Sequence, residues 1–256
     1  MLAQEGEIVQ SRNSFTVTPR SLANLSAETR SGDVTFRLCR DSACGEVYPG
    51  STQAFRYTLD VKLLDWETFQ RTAAHTAYVR ASFDPARITK AWDRTITGAH
   101  TLHPAATKSG QLFLTAAAAA GTSVIAMDSA TGTQRWAYDI GPIHSASGPT
   151  VTGDQLQIVT MTTSSGTNRI VTLNAGNGQF VRNMLFAAQW SNFAQPTAMG
   201  RDLYLASGYF GNVVYGYDLD TGANRWQATG AGGKVWDGSA VAAVSNKIQP
   251  FLTNRS

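Results

Sequence analysis

One turn, recurring at a nearly constant period, constrains this chain more than any other feature. The stretch Ala126-Met127-Asp128-Ser129-Ala130-Thr131-Gly132-Thr133-Gln134-Arg135-Trp136 reads as a strand end, a tight turn and the start of a return strand. Asp128 can accept backbone N–H bonds across the turn, Gly132 supplies the φ > 0 position that closes it, and Trp136 offers a large aromatic surface on the returning strand. Asp218, Gly222 and Trp226 repeat the pattern, whereas Asn174 and Gly178 repeat the turn with Arg182 in the Trp position. From Asp128 to Asn174 to Asp218 the steps are 46 and 44 residues, and the three glycines give the same steps. A second landmark runs in register: Pro104, Pro149 and Pro196 are spaced 45 and 47 apart, with Ala240 a further 44 on. After each comes a polar turn and a short apolar strand, the fourth, at Asn246-Lys247-Ile248, being poorer. An upstream echo, Asp84 and Trp92, lies 44 residues before Asp128 and Trp136; there Ile88 replaces the turn glycine, so this copy is expected to supply only an outer strand, 88–96. Two landmarks agreeing over several copies mark a repeat architecture, and a period of this length holding four short strands is one propeller blade.

The signature Ala-x-Asp-x-x-Thr-Gly-x-x-x-Trp, met at every fixed position by 126–136, resembles the PQQ-like β-propeller repeat of the quinoprotein dehydrogenase superfamily. WD-type repeats fit less well, because the lone Trp236-Asp237 falls in a connecting loop rather than closing a blade. The resemblance implies that the tryptophans, Trp92, Trp136 and Trp226, pack between neighbouring blades, and that Arg182 leaves one junction looser. Three near-complete blades are expected at 103–140, 148–187 and 195–229, with two inner strands of a fourth at 239–252. Members of the family usually have more blades, so the chain reads as a partial ring of three to four blades and as a piece of a longer protein.

Upstream, from residue 8 to about 80, the texture is alternating strand: Phe15–Thr18, Asp33–Leu38, Ala54–Val61 and Ala77–Arg80 each alternate at period two. Strands at this spacing fit a small immunoglobulin-like sandwich. Cys39 and Cys44, the only cysteines, flank a four-residue turn that can bring their Cα atoms to disulfide distance. The alternative is two unrelated thiols of a cytosolic protein; a metal site lacks a second Cys or His pair at ligand spacing. The stretch resembles a strand-turn element, Arg-Leu-Cys-x-Asp-x-x-Cys, of small Ig-like domains in bacterial exported proteins. A disulfide puts the chain in an oxidising compartment, the periplasm or the cell envelope. The first residues carry no signal peptide, so on that reading the export signal lies outside this chain.

The fold class read from the sequence is therefore all-β, a small Ig-like β-sandwich over 8–80 followed by a partial PQQ-like β-propeller over 84–256. A hydrophobic content of 43% is ample for a core. The net charge of +3 is mild and the Lys and Arg residues are scattered, which gives no support to a nucleic-acid surface. No run approaches the length of a membrane span.

The connections at 97–103, 139–148, 187–195 and 229–239, with the loops at 116–122, 162–168 and 207–212, fall on one face of a propeller. Ring-bearing residues stand there: His100, His103, His144, Trp190 and Trp236, with Tyr209 and Phe210 in a neighbouring loop. They are a candidate binding face, the plain alternative being that they cap blade ends as packing. Motifs for catalysis are missing: no Gly-x-Ser-x-Gly elbow, no Walker loop and no His-Glu-x-x-His. Gly230-Ala231-Gly232-Gly233-Lys234 reads as a flexible loop, and Asp218-x-Asp220-x-Gly222 as a turn rather than a calcium loop. The resembled dehydrogenases carry adjacent paired cysteines over the quinone and a Glu-Asn-Asp calcium site, neither of which appears here. No cofactor and no metal is expected.

The resulting expectation is a non-catalytic exported scaffold whose propeller face binds a protein or ligand. Its nearest functional analogy is the propeller lipoprotein of the outer-membrane barrel assembly machinery. The alternative is a piece of a PQQ-dependent quinoprotein dehydrogenase whose active-site blades lie elsewhere; a glycan-binding surface protein is a third.

Overall fold

A computed structural model describes residues 7–11, 14–18, 29–61, 63–79, 81–161, 168–187, 195–206, 213–229, 240–245 and 247–250. The chain separates into two compact units, one of residues 1–64 and 79–89, the other of 65–78 and 90–256. Among the described residues the secondary structure is β, apart from a 3₁₀ turn at Pro85–Arg87, and no described helix is long and apolar enough to cross a membrane.

The first unit contains two antiparallel hairpins, β1 (Glu7–Ser11) with β2 (Ser14–Thr18) and β3 (Thr29–Phe36) with β4 (Gln53–Asp60). Cys39 and Cys44 form a disulfide with a Cα–Cα distance of 5.0 Å. Asp41 organises the turn between them: its carboxylate accepts from the backbone N–H groups of Gly45 (3.0 Å) and Glu46 (2.6 Å), which hold its pKa below the usual carboxylate value. Residues 77–79 are irregular rather than a strand.

The second unit is a succession of antiparallel sheets. The first comprises β5 (Ala99–Leu102) and β6 (Ala106–Lys108), both paired to β7 (Gln111–Ala118), then β8 (Gly121–Asp128) and β9 (Gln134–Gly141). The second repeats it with β10 (Ser145–Ala146), β11 (Thr150–Thr152), β12 (Gln155–Met161), β13 (Asn168–Asn174) and β14 (Phe180–Phe186). In both, the innermost strand is broken in two at the landmark proline, Pro104 or Pro149, which has no N–H for the ladder and is tolerated because this strand is an edge. A four-stranded sheet follows, β15 (Thr197–Met199), β16 (Asp202–Ala206), β17 (Val213–Asp218) and β18 (Asn224–Thr229), and then the hairpin of β19 (Val241–Val244) and β20 (Lys247–Pro250).

Near-continuous apolar runs in the central strands make each of the three larger sheets apolar on both faces, so the core lies between sheets. Phe113, Val124 and Ala126 meet Leu156, Ile158, Val171 and Leu173; on the next face Val159, Ile170 and Met184 meet Leu203, Leu205, Tyr215 and Tyr217. Tyr204, Ala206 and Val214 then meet Val241 and Ala243.

The outer hairpin turns fasten these sheets. Asp128 Oδ1 accepts from the N–H groups of Ala130 and Thr131, both at 3.0 Å, while Gly132 N–H donates to the Asp128 carbonyl. Asn174 and Asp218 make the same bonds to Gly176 and Asn177, and to Asp220 and Thr221. Gly132, Gly178 and Gly222 hold φ at 67°, 74° and 76°. They also leave room for a neighbour: a Cβ on them would fall 2.6, 2.5 and 2.7 Å from Trp92, Trp136 and Arg182. Each of these side chains donates to the carbonyl of the residue after the Asx: Trp92 Nε1 to Ser129 (3.0 Å), Trp136 Nε1 to Ala175 (3.1 Å) and Arg182 Nη1 to Leu219 (2.9 Å). Arg182 thus fills the junction expected to be loose, laying its aliphatic stem on Gly222 and reproducing the indole's hydrogen bond. Trp226 instead packs over Gly216 of its own sheet and beside Tyr204, with ring centroids 6.0 Å apart.

The expected strand at 88–96 does not form; the segment is irregular, because no described strand lies alongside to complete a ladder. Trp92 and Ile96 nevertheless pack on the face of the first sheet carrying Ala116, Ile125 and Met127, and Arg94 donates from Nε to the Gly132 carbonyl (3.0 Å).

Removing the ring from one junction isolates its contribution. Trp136→Ala is expected to lower the stability of the propeller unit by about 3 kcal/mol. Gly178→Ala is expected to cost at least about 1 kcal/mol through its backbone conformation alone. In a double-mutant cycle read by urea unfolding, the pair should cost less than the sum, since both remove one contact; strict additivity would contradict the stacking.

Candidate binding site on the propeller axis

The inner strands converge on a segment from the N-terminal half of the chain. Residues 65–78, described here as the strap, cross the edges of β6, β11, β15 and β19 and bond to all four sheets. Thr107 N–H donates to the Trp66 carbonyl (2.8 Å), while Trp66 N–H donates to Thr107 Oγ1 (2.9 Å). Val151 N–H donates to the Glu67 carbonyl, and Ala243 N–H to the Ala73 carbonyl, each at 2.8 Å. Thr68, 3% exposed, lies 3.1 Å from Thr150 Oγ1 and donates to the Pro196 carbonyl at 3.2 Å. His75, 8% exposed, sets Nε2 3.0 Å from Thr197 Oγ1, and Lys108 pairs with Glu67.

Above the strap lies a cavity of about 210 Å³, lined by Phe69, His103, Pro104, Ser147, Gly148, Gln195 and Ala240. Its walls follow the repeat: Pro104 and Ala240 are landmark residues, and His103, Gly148 and Gln195 each directly precede a landmark. These residues interlock. A Cβ on Gly148 would collide with the Gln195 amide and fall 2.6 Å from the Pro104 carbonyl, so glycine is needed for the glutamine to reach across. Gln195 is 9% exposed and its Oε1, although buried, accepts no hydrogen bond. Ser147 is internally satisfied: Oγ donates to the Gly148 carbonyl (2.7 Å) and accepts from Val159 N–H (3.0 Å). Burial pulls the pKa of His103, and of His75 on the strap, under the ordinary imidazole value, favouring neutral rings.

Of the ring-bearing candidates, His103 lines the cavity, whereas His100 on β5 and His144 before β10 are exposed and occupy the same repeat position, 44 residues apart. Trp190, Tyr209, Phe210 and Trp236 lie outside the described residues, as does the glycine loop at 230–234. Phe69, Gln195 and Gly148 were missed by sequence reasoning. The signal for the last two was their place immediately before a landmark; Phe69 carried none.

The acidic turn at Asp218 is already used: Oδ1 accepts from Asp220 and Thr221 N–H and Oδ2 pairs with Arg225, and the Thr221 bond and the Arg225 guanidinium hold its pKa down. Asp128, paired with Arg135 and bonded by Thr131, is pulled to about 2. Nor do the described residues around the cavity fit an anionic quinone: none is Lys or Arg to balance buried carboxylates, and the cysteine pair belongs to the other unit.

Successive antiparallel sheets, the first two with a broken innermost strand, fastened through their outer turns around a cavity beside the inner strands, define a PQQ-like β-propeller. Residues 75–248 match the family described as outer membrane protein assembly factor BamB, and the chain belongs to that family. Among solved structures it is similar to quinohemoprotein alcohol dehydrogenase from Comamonas testosteroni, at 19% identity and a TM-score of 0.50 over 67% of this chain and 28% of that one. It is also similar to BamB from Moraxella catarrhalis, at 19% identity and a TM-score of 0.42 over 59% of this chain and 54% of that one. A europium-containing methanol dehydrogenase matches at 14% identity and a TM-score of 0.43, over 58% and 37% of the two chains. The chain thus spans at most 54% of these structures, and at such identities the likeness shows the fold alone. No curated protein matches it.

Buried His75 and half-buried His103 set a pH signature. Their folded-state pKa values lie below the ordinary 6.5, so below that pH the unfolded chain binds more protons than the folded one. Their stabilisation is fully present above about pH 6.5 and is lost as the pH falls through the window down to the folded values. The urea midpoint is expected to be lower at pH 5 than at pH 8. The doubly substituted His75→Gln, His103→Gln chain should show a shallower drop, and an unchanged one would contradict the assignment. The depressed carboxylates titrate below this window and do not confuse it.

Proposed function

We propose that this chain is a non-catalytic scaffold of the cell envelope, exported to an oxidising compartment, whose propeller mouth binds a protein partner. The observation that carries the reading is the exposed ring of His100 and His144, 44 residues apart on consecutive blades, with Trp190 and Trp236 standing shortly before the next two landmarks in the sequence. Exposed rings recurring where the chain enters each inner strand make a surface suited to recognition, since aromatic side chains dominate interface energetics. Family membership with an outer membrane assembly factor supports an envelope role, and the Cys39–Cys44 disulfide supports export. On this reading residues 8–80 supply a small Ig-like sandwich, which the hairpins of the first unit support, apart from the strap residues that join the propeller. The axial strap also supports a scaffold, because the chain itself takes up space where the inner strands converge. The alternative, a piece of a PQQ-dependent dehydrogenase, is favoured only by likeness of fold.

Site-specific photo-crosslinking tests the mouth directly. With benzoylphenylalanine at position 100 or 144 in the natively expressed full-length protein, crosslinks to a discrete protein are expected. The same probe at Ala130, on the opposite turn, should give none. Equal labelling from both ends, or quinone-dependent alcohol oxidation by the purified protein, would overturn the proposal.

A further inference from the structure

The cavity has properties that select an occupant. At about 210 Å³ it is smaller than the roughly 300 Å³ at which pockets for drug-sized ligands begin, and it suits one aromatic side chain. Its apolar walls are the ring of Phe69, Pro104 and Ala240, and Phe69 is 41% exposed, so the cavity reaches the surface. No described lining residue is Asp, Glu, Lys or Arg, and a buried charge would find no partner there. One polar demand stands out: the unpaired Oε1 of Gln195, an acceptor on a side chain more than nine-tenths buried. An unpaired buried acceptor costs free energy that an incoming donor recovers.

We propose that this cavity is an anchor pocket for a single aromatic side chain bearing an N–H or O–H donor, a tyrosine or tryptophan of the protein partner. The ring lies against Phe69 and Pro104 while its donor satisfies Gln195. Interfaces concentrate binding energy in such residues because they bring a large apolar body and one polar tip into a dry pocket. Phenylalanine fits the walls but leaves Gln195 unpaired; arginine or lysine fits neither the volume nor the neutrality. The inference rests on the partner reading above and adds which residue of the partner is held.

The test uses the full chain with p-cresol, N-acetyl-tyrosinamide and toluene, read by ligand-observed saturation-transfer NMR and calorimetric titration. Both phenols are expected to bind about tenfold more tightly than toluene. Gln195→Leu should erase that preference while toluene binding persists. Ala240→Met, which fills the cavity without touching the acceptor, should abolish binding of all three, with the thermal unfolding midpoint of each variant confirming a folded chain. A phenol preference that survives Gln195→Leu overturns the proposal, as does binding of p-cresol with N-acetyl-tyrosinamide excluded, which would make the site one for free phenols. Failure here with crosslinks at His100 and His144 intact removes the pocket but keeps the partner surface. Loss of the crosslinks with phenol binding intact does the reverse.

Discussion

No sheet of this propeller can stand alone. The three larger sheets are apolar on both faces, and a lone sheet would leave residues such as Phe113, Leu156 and Leu203, all fully buried, in water. At about 25 cal/mol per Å² of apolar surface the burial between sheets is the main term, and it exists only if consecutive sheets keep a fixed spacing and register. The contact that sets this register is small: a ring, or the stem of Arg182, lies on a glycine at positive φ and donates one hydrogen bond to the adjacent turn. The glycine serves twice, in the backbone conformation and in the absent Cβ. This explains why an Asp or Asn and a Gly persist in the turns while the stacking residue varies between Trp and Arg.

Stacked blades alone would leave a row of inner edge strands with open N–H and C=O groups, a surface prone to unwanted pairing. The strap answers this. Its carbonyls at Trp66, Glu67 and Ala73 accept from Thr107, Val151 and Ala243, one on each of three inner strands, and His75 reaches the fourth at Thr197. Holding it there is costly, since Gln70, Arg71, His75 and Ala77 all have positive φ. Such conformations persist only where the surroundings over-determine them. Because the strap crosses the axis, it also shapes the cavity through Phe69, which ties propeller cohesion to the candidate site.

The sequence made the outer architecture legible and the axis illegible, for a physical reason. Asp128, Gly132 and Trp136 act through local geometry, a turn and a strand spacing, and local geometry repeats; so do the landmark prolines that split the inner strands. Thr68 and His75 act through contacts 82 to 128 residues away, from a segment with no period and no glycine at its left-handed positions. Arg182 misled because residue type was read as loss of packing, whereas its long stem and guanidinium replace both parts of the indole. Gln195 and Gly148 were half-legible: their register could be counted, but not that one makes room for the other.

The central claim is that the strap is an integral part of the propeller, fastening its inner strands. Native-state hydrogen exchange at Thr107, Val151 and Ala243 tests it most directly, because each of these amides has its acceptor on the strap. The expected result is that all three exchange at one common free energy of opening, equal to that of Leu156 and Leu203 in the sheet cores. Rapid exchange at the three while those core amides stay protected would show that the strap opens on its own, and would contradict the account.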